Sequence, residues 1–313
     1  MFCPNPTIVC IGQTVMDYRF TVAQIPSRAE KYKAIDFQAL PGGMAAGAAI
    51  AAARLGARVV LASKVGRDST ADTLLTFLAN EGIDSQFIER VEGCHTAVSA
   101  VSIDPSGERQ VVHAPTEAFD RGQPIDVGQL PLAKALLVDP RWPEASFAAL
   151  QWAYSHGIPS VLDADIAPRE VITRLMPLTD WAVFSAHGLA YLFPGLSDEK
   201  RLTKAQSLGA RHVAVTCGKA GVQWLEHLRL QQIAAAPVDV VDTTGAGDVF
   251  HGALAFALAA SEIHSTRPLL EFANTIAGEK VRAGLGSLGA PYAQQVQPAI
   301  QKLNASQIRS GSS

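Results

Sequence analysis

Short, wholly apolar runs alternate with longer segments of helical period along most of this chain. TIVCIG (7–12) is apolar throughout and stops at a glycine, the pattern of a strand buried on both faces. AAGAAIAAARLG (45–56) reads as a helix ending at Gly56, RVVLASKVG as the next strand, and STADTLLTFLANEG as a capped amphipathic helix ending at Gly82. From about residue 134 the rhythm returns: ALLVD, a helix over 144–156, PSVLDAD, WAVFSA, a helix near 199–208, then HVAVTCG. Strands alternating with helices predict an α/β fold, a mainly parallel sheet covered on both faces. Two stretches, 13–38 and 84–113, break this rhythm with apolar–polar alternation and read as half-exposed paired strands. Both leave the core after early strands. They are expected to combine into one small sheet over the strand C-terminal ends, where open α/β sheets bind ligands. The expected organisation is a single α/β domain over 1–304, lid strands from about 13–38 and 84–113, and a frayed polar tail over 305–313.

Composition narrows the class without naming the chemistry. The 313 residues are 48% hydrophobic and 18% charged, ordinary globular values. A net charge of −3 gives no general attraction for nucleic acid or an anionic membrane. The longest apolar run, 44–53, is too short to span a bilayer. The start, MFCPNPTIVC, lacks the charged segment of a secretion signal, so the expected location is the cytoplasm. Cys3, Cys10, Cys94 and Cys217 are scattered without the spacing of a disulfide framework or a zinc site.

Two familiar nucleotide motifs fail. Gly218-Lys219 lacks the upstream glycine and the following Ser or Thr of a P-loop. Residues 284–289, GLGSLG, match G-x-G-x-x-G but follow a helix where a dinucleotide fold needs a strand, and read as a flexible loop. DTTGAGD (242–248) is more informative. Gly245, Ala246 and Gly247 carry no bulk, so their amides can approach an anion, and the helix that follows adds its positive end. A carboxylate beside an anion site should repel the anion. Asp248 makes sense there if it takes the proton of a hydroxyl as that oxygen attacks phosphorus, while the amides stabilise the moving phosphoryl group.

These residues carry a family resemblance. Asp242 to Asp248 resembles the C-terminal signature of ribokinase-like (PfkB) sugar kinases, and Gly42-Gly43 with Val65-Gly66-Arg67-Asp68 resembles the N-terminal hallmark. The likeness runs in order from about Ile8 to about Gly289. It implies a three-layer α/β/α core with a small β lid that often dimerises, ATP and Mg2+ as cofactors, a monovalent cation as a further one, and a sugar hydroxyl as acceptor. Under it Asp248 is the base and Gly245, Ala246 and Gly247 the anion hole. Asp17, Gly42 and Gly43 hold sugar hydroxyls. Thr216, Gly218 and Gly221 line the nucleotide phosphates and ribose, and Asn274 lies near the adenine. Two positions depart from the pattern. Gly47 stands where the family often has an asparagine, and Ser185-Ala186-His187-Gly188 stands for Asn-x-x-Glu. The metal shell then falls to Asp163 or Asp165 and water.

The wording of TVMD, LDADIAP, FSAHGLA and VDVVDTTGAGDVFHGALA is similar to the sulfofructose kinases, which phosphorylate 6-deoxy-6-sulfofructose at O1. Lys31 and Arg141 match positions where that branch binds the sulfonate, and His113 stands where it usually has asparagine. Other fructose, ketohexose, carbohydrate or nucleoside kinases of the fold remain open, as does a catalytically silent nucleotide- and sugar-binding protein.

Overall fold

The computed structural model describes residues 3–263 and 265–310. In chain order the elements are β1 (Thr7–Ile11), β2 (Val15–Thr21), β3 (Asp36–Gly42), α1 (Met44–Arg54), β4 (Arg58–Gly66), α2 (Ser69–Asn80), β5 (Asp84–Val91), β6 (Val98–Ile103) and β7 (Arg109–Ala114). There follow β8 (Ala135–Val138), α3 (Pro143–His156), β9 (Ser160–Ala164), α4 (Arg169–Leu175), β10 (Trp181–Ser185), α5 (Ala186–Leu192), α6 (Asp198–Gln206) and β11 (His212–Thr216). The chain closes with β12 (Val222–Glu226), β13 (Arg229–Ile233), α7 (Ala246–Ala260), α8 (Thr266–Ala283) and α9 (Gln297–Ser310).

Nine strands form one sheet in the order β13-β12-β11-β10-β9-β8-β1-β4-β5. Its pairs from β5 to β11 are parallel, and only β12 and β13 run antiparallel at one edge. Alternate residues of the apolar runs feed two cores. Ile8, Cys10, Leu61, Leu137 and Val183 meet α1, α7 and α8 on one face. Val9, Ile11, Val60, Leu136, Val138 and Phe184 meet α3 to α6 on the other. Burying both faces explains why these strands read as unbroken apolar runs. Each buried Val, Leu or Ile contributes roughly 1.5–3 kcal/mol. This is the expected three-layer α/β/α core.

A second sheet, β3-β2-β6-β7, stands apart from the first. It corrects the expected lid in one respect. Residues 84–91, expected as a lid strand, form β5, the edge of the main sheet paired parallel to β4. An edge strand is exposed along one side, so it shows the same alternation as a lid strand. The lid's second pair is β6 and β7 only. Two further differences concern the C-terminal region. GLGSLG, expected as a flexible loop, is a packed turn with Gly286, Ser287 and Gly289 buried, and the Arg54 guanidinium donates to the carbonyls of Leu288 and Ala290. The stretch expected to fray continues α9 to Ser310, and residues 311–313 of that tail lie outside the described residues. Among the described residues no helix is long and apolar enough to cross a membrane.

Candidate active site

The strand order reverses its direction of growth between β1 and β8, so the loops leaving these neighbours diverge and open a crevice at their C-terminal ends. Asp139, which follows β8, is completely buried there. Its Oδ2 accepts from the amides of Gln13 (2.7 Å) and Ala45 (3.1 Å), and its Oδ1 from the amide of Arg141 (2.8 Å). One carboxylate thus fixes the loop after β1, the first turn of α1 and the backbone of Arg141. Burial pushes the Asp139 carboxyl up, against these amides and the Arg141 charge.

The lid lays one row of side chains over this crevice. Register places Asp17 of β2 beside Ser99 of β6, and Ser99 beside His113 of β7. The His113 ring nitrogens meet Gln13 Nε2 and Ser99 Oγ, each at 3.2 Å. Burial, then the Arg141 charge, lowers the His113 pKa. Burial raises the Asp17 pKa to about 6, against a hydrogen bond from Ser99. Asp17 Oδ2 stands 2.1 Å from where a Cβ on Gly42 would be, so only glycine fits at that end of β3. Gly43 then caps α1. Arg141 Nη2 lies 4.0 Å from Asp165 Oδ2. Lys31 sits exposed on the loop between β2 and β3, and no hydrogen bond or ion pair described in the structure ties it to this row.

The other half of the crevice is the turn before α7. Gly245 caps the helix, and Ala246, Gly247 and Asp248 form its first turn. The amide of Ala246 donates to Thr243 O and that of Val249 to Gly245 O. A helix start leaves its other first amides to outside partners. A Cβ added at Gly247 would meet nothing within 4 Å, so the turn opens on free space. Asp248 faces α1 directly: a Cβ at Gly47 would stand 2.7 Å from Asp248 Oδ2 and 2.6 Å from Ser287 Oγ. Gly47 thus makes room for the acid. Burial first, then the Asp163 carboxylate, raises the Asp248 pKa well above its ordinary value, with Asp17 and Asp165 adding to it and His251 opposing.

Asp163 lies in β9 and Asp165 directly follows it, both close enough to Asp248 to raise its pKa. Asp163 is buried, with its Oδ2 3.2 Å from His251 Nδ1. Asp165 is more open and accepts from Ser185 Oγ at 2.6 Å. His251 also points Nδ1 at Gly247 O (2.7 Å) and Nε2 at Val183 O (3.1 Å). Among the described residues no three His, Cys, Asp or Glu side chains converge as a metal cage. Even so, an acidic cluster facing an anion turn is the setting in which a divalent cation comes in with phosphates and keeps most of its water. Asp165 is the carboxylate open to such a shell.

The predicted nucleotide residues lie farther along the same edge. Thr216 ends β11, with Oγ1 donating to Phe184 O at 3.3 Å, and Gly218 opens a turn that Gly221 closes onto Cys217 N at 2.7 Å. Asn274 of α8 donates to Ala234 O at 3.1 Å. Val240, Val241 and Leu285, all over 40% exposed, offer an apolar surface near the anion turn. The structure brings Asp17, Gly42, Gly43 and His113 together at one end and Gly245 to Asp248 with Asp163 at the other. Asp139, His251, Lys280, Ser287 and the role of Gly47 escaped the sequence reading. Only Asp139, an acid directly at a strand end, carried a signal that could have found it.

Residues 5–291 match the family model described as pfkB family carbohydrate kinase. The ribokinase of Bacillus subtilis (strain 168) is 30% identical over 296 residues, spanning 93% of this chain and 98% of that protein. The deoxyribokinase of Salmonella typhi is 28% identical over 257 residues, 79% of this chain and 84% of its own. A solved structure from Agrobacterium tumefaciens, provisionally classed as a ribokinase, superposes with a TM-score of 0.89 at 30% identity, over 96% of this chain and 99% of that one. Arabidopsis thaliana ribokinase, solved with ribose and ATP, shares the fold at a TM-score of 0.79 and 22% identity, over 96% and 99%.

Proposed function

The chain belongs to the pfkB family of carbohydrate kinases, ATP-dependent enzymes, and from that premise we propose that it phosphorylates O1 of 6-deoxy-6-sulfofructose. Asp248 takes the proton of the acceptor hydroxyl. Its pKa, raised by burial and the Asp163 carboxylate above that of an ordinary acid, makes it a stronger base than a surface carboxylate. The amides of Gly245, Ala246 and Gly247 receive the charge that builds on the transferred phosphoryl oxygens. Asp17 accepts two sugar hydroxyls and, with the Gly42-Gly43 backbone, sets which oxygen faces Asp248. Thr216, Gly218, Gly221 and Asn274 hold the nucleotide. Asp165, with Asp163 behind it, would hold the water shell of a magnesium ion bound with the nucleotide, which would neutralise phosphate charge.

The sulfonate assignment is carried by Arg141. It is a partly exposed cation that lies between His113 at the sugar end and Asp165, whose Oδ2 is 4.0 Å from its Nη2. A neutral sugar has no use for a guanidinium there, whereas a fixed monoanion at C6 does. Lys31, on its exposed loop, supplies the second cation. A neutral-sugar reading draws on the match to Bacillus subtilis ribokinase. A coupled kinase assay with sulfofructose, fructose, fructose 6-phosphate, ribose and a nucleoside separates the two. Arg141→Ala raises the KM for sulfofructose about 10- to 100-fold and leaves that for fructose nearly unchanged. Equal losses on both sugars would remove the sulfonate role.

The lid also supports a homodimer. Phe37 and Val112 are 52% and 67% exposed on its strands, and Phe37 packs on Tyr18 and Phe20 in an aromatic cluster. Sedimentation of wild type against a Phe37→Ser, Val112→Ser variant tests that pairing; an unchanged mass for the variant counts against it.

A further inference from the structure

Asp242 opens the anion turn, yet the chemistry above gives it no task. It is 2% exposed, and donors from four separate places converge on it. Thr244 N donates to its Oδ1 at 2.8 Å and Gly286 N to its Oδ2 at 3.1 Å. Arg19 Nη1, carried by lid strand β2, reaches the same Oδ2 at 3.2 Å. Lys280 Nζ, from α8, lies 3.7 Å from Oδ2 and donates to Asp242 O at 2.8 Å. The Lys280 side chain has no solvent exposure at all. An ammonium so deep carries a desolvation cost of several kcal/mol, and it persists only where fixed oxygen acceptors meet it.

A buried carboxylate with a backbone carbonyl beside it is an oxygen donor set that suits a hard cation. Here the protein fills that need itself. One carboxylate faces two cations, so the cluster is already positive by one charge and repels another cation while favouring phosphate. We propose that Lys280 is the built-in cation of the anion turn, with Arg19 as its lid-borne partner, and that the turn receives nucleotide phosphates without any added monovalent ion. Both are positioning residues: they act through Asp242, which in turn holds Thr244 and Gly286 in place.

The surroundings agree with this role. Burial lowers the Lys280 pKa to about 8, with Asp242 and Asp248 opposing the fall and Arg19 and Arg109 adding to it. Incoming phosphate raises it again, so the ammonium stays charged in the nucleotide complex. Arg109, on lid strand β7, reaches Thr243 Oγ1 at 3.3 Å, so a second lid arginine meets the turn one residue further on.

The inference rests on the phosphate role proposed for the turn and is tested by calorimetric titration of ATP, a readout separate from turnover. Wild type is titrated in potassium chloride and in tetramethylammonium chloride at equal ionic strength, and the two Kd values are expected to agree within about twofold. Lys280→Ala weakens ATP binding about 10- to 100-fold in tetramethylammonium, and potassium or methylammonium, small enough for the vacated space, restores part of it. A wild type whose Kd tightens about tenfold or more with potassium overturns the proposal, as does a Lys280→Ala protein that binds ATP like wild type. If Lys280→Ala does not fold, the wild-type comparison still decides. A potassium-dependent wild type would leave the kinase reading standing, whereas normal turnover by Asp248→Asn would sink that reading and leave the salt comparison untouched.

Discussion

Asp242 and Asp248 bracket the same turn, and their surroundings are opposite. At Asp242, burial alone would raise the carboxyl, but the Lys280 charge and the amides of Thr244 and Gly286 overcome it and hold the group below its ordinary value. At Asp248, burial and the neighbouring carboxylates act in the same direction and hold it well above. The first acid is thereby locked in its charged form and serves as scaffold. The second bears a charge that its site disfavours, which makes it ready to take a proton. A single motif thus separates structure from chemistry by supplying cations to one end and withholding them from the other.

The sharpest way to break this contrast is to neutralise each acid in turn. Asp248→Asn is expected to lower kcat by roughly 10²–10⁴ while ATP still binds, measured by steady-state kinetics beside calorimetry. Its melting temperature should stay at or above wild type. A carboxyl with a raised folded-state pKa loses stability as pH rises through that window, so removing the charge relieves the fold at neutral pH. Near-normal turnover would retire Asp248 as the base. Asp242→Asn should do the reverse for stability. It leaves the buried Lys280 ammonium facing a neutral amide, a loss on the order of 3 kcal/mol, and melting should fall by several degrees. If both variants melt alike, the distinction between the two ends fails.

A smaller effect comes from Gly47→Ala. The new Cβ would stand 2.7 Å from Asp248 Oδ2 and 2.6 Å from Ser287 Oγ, closer than such atoms approach, so Asp248 must shift. A displacement of this kind is expected to lower kcat about tenfold with the KM for ATP unchanged, because the open face at Gly247 is untouched. A tenfold rise in that KM instead would mean that Gly47 shapes the phosphate site and not the base.

The sequence made the chemistry proposed for this turn legible and left its support hidden, for a physical reason. DTTGAGD declares itself because its amides, its helix start and its acid are neighbours in the chain. The buried strands do the same, since burial on both faces leaves a local apolar run such as TIVCI. Lys280 sits 38 positions from Asp242, and Gln13 lies 126 from Asp139. Within α8 Lys280 looks like any last-turn lysine, and only packing shows that it is buried. Gly47 read only as a departure from the asparagine common in the family, because nothing local shows that Asp248 occupies its side-chain space. The lid boundary was misplaced at β5 for a related reason: alternation reports half-exposure, which an edge strand and a lid strand share.

The finest test compares Asp17 with Asp248 across the lid and core. Both carboxyls are raised, but Asp17 only to about 6, and its proposed work is to accept sugar hydroxyls, which needs the ionised form. As pH falls through about 6 the group takes up a proton, so the sugar KM should rise by up to tenfold per pH unit below that point while ATP affinity changes little. Stability moves the other way. Because the folded-state value lies above the ordinary 3.8, the folded protein binds the proton more readily than the unfolded chain between those limits, and this group's contribution to stability grows on acidification. Asp17→Asn isolates the term: the difference in melting temperature between it and wild type should shrink between pH 7 and pH 5. The variant's sugar KM should lose the acid limb that wild type shows. An acid limb in the sugar KM that survives in Asp17→Asn would belong to another group and take sugar orientation away from Asp17, whereas a limb confined to kcat would report the protonation of Asp248.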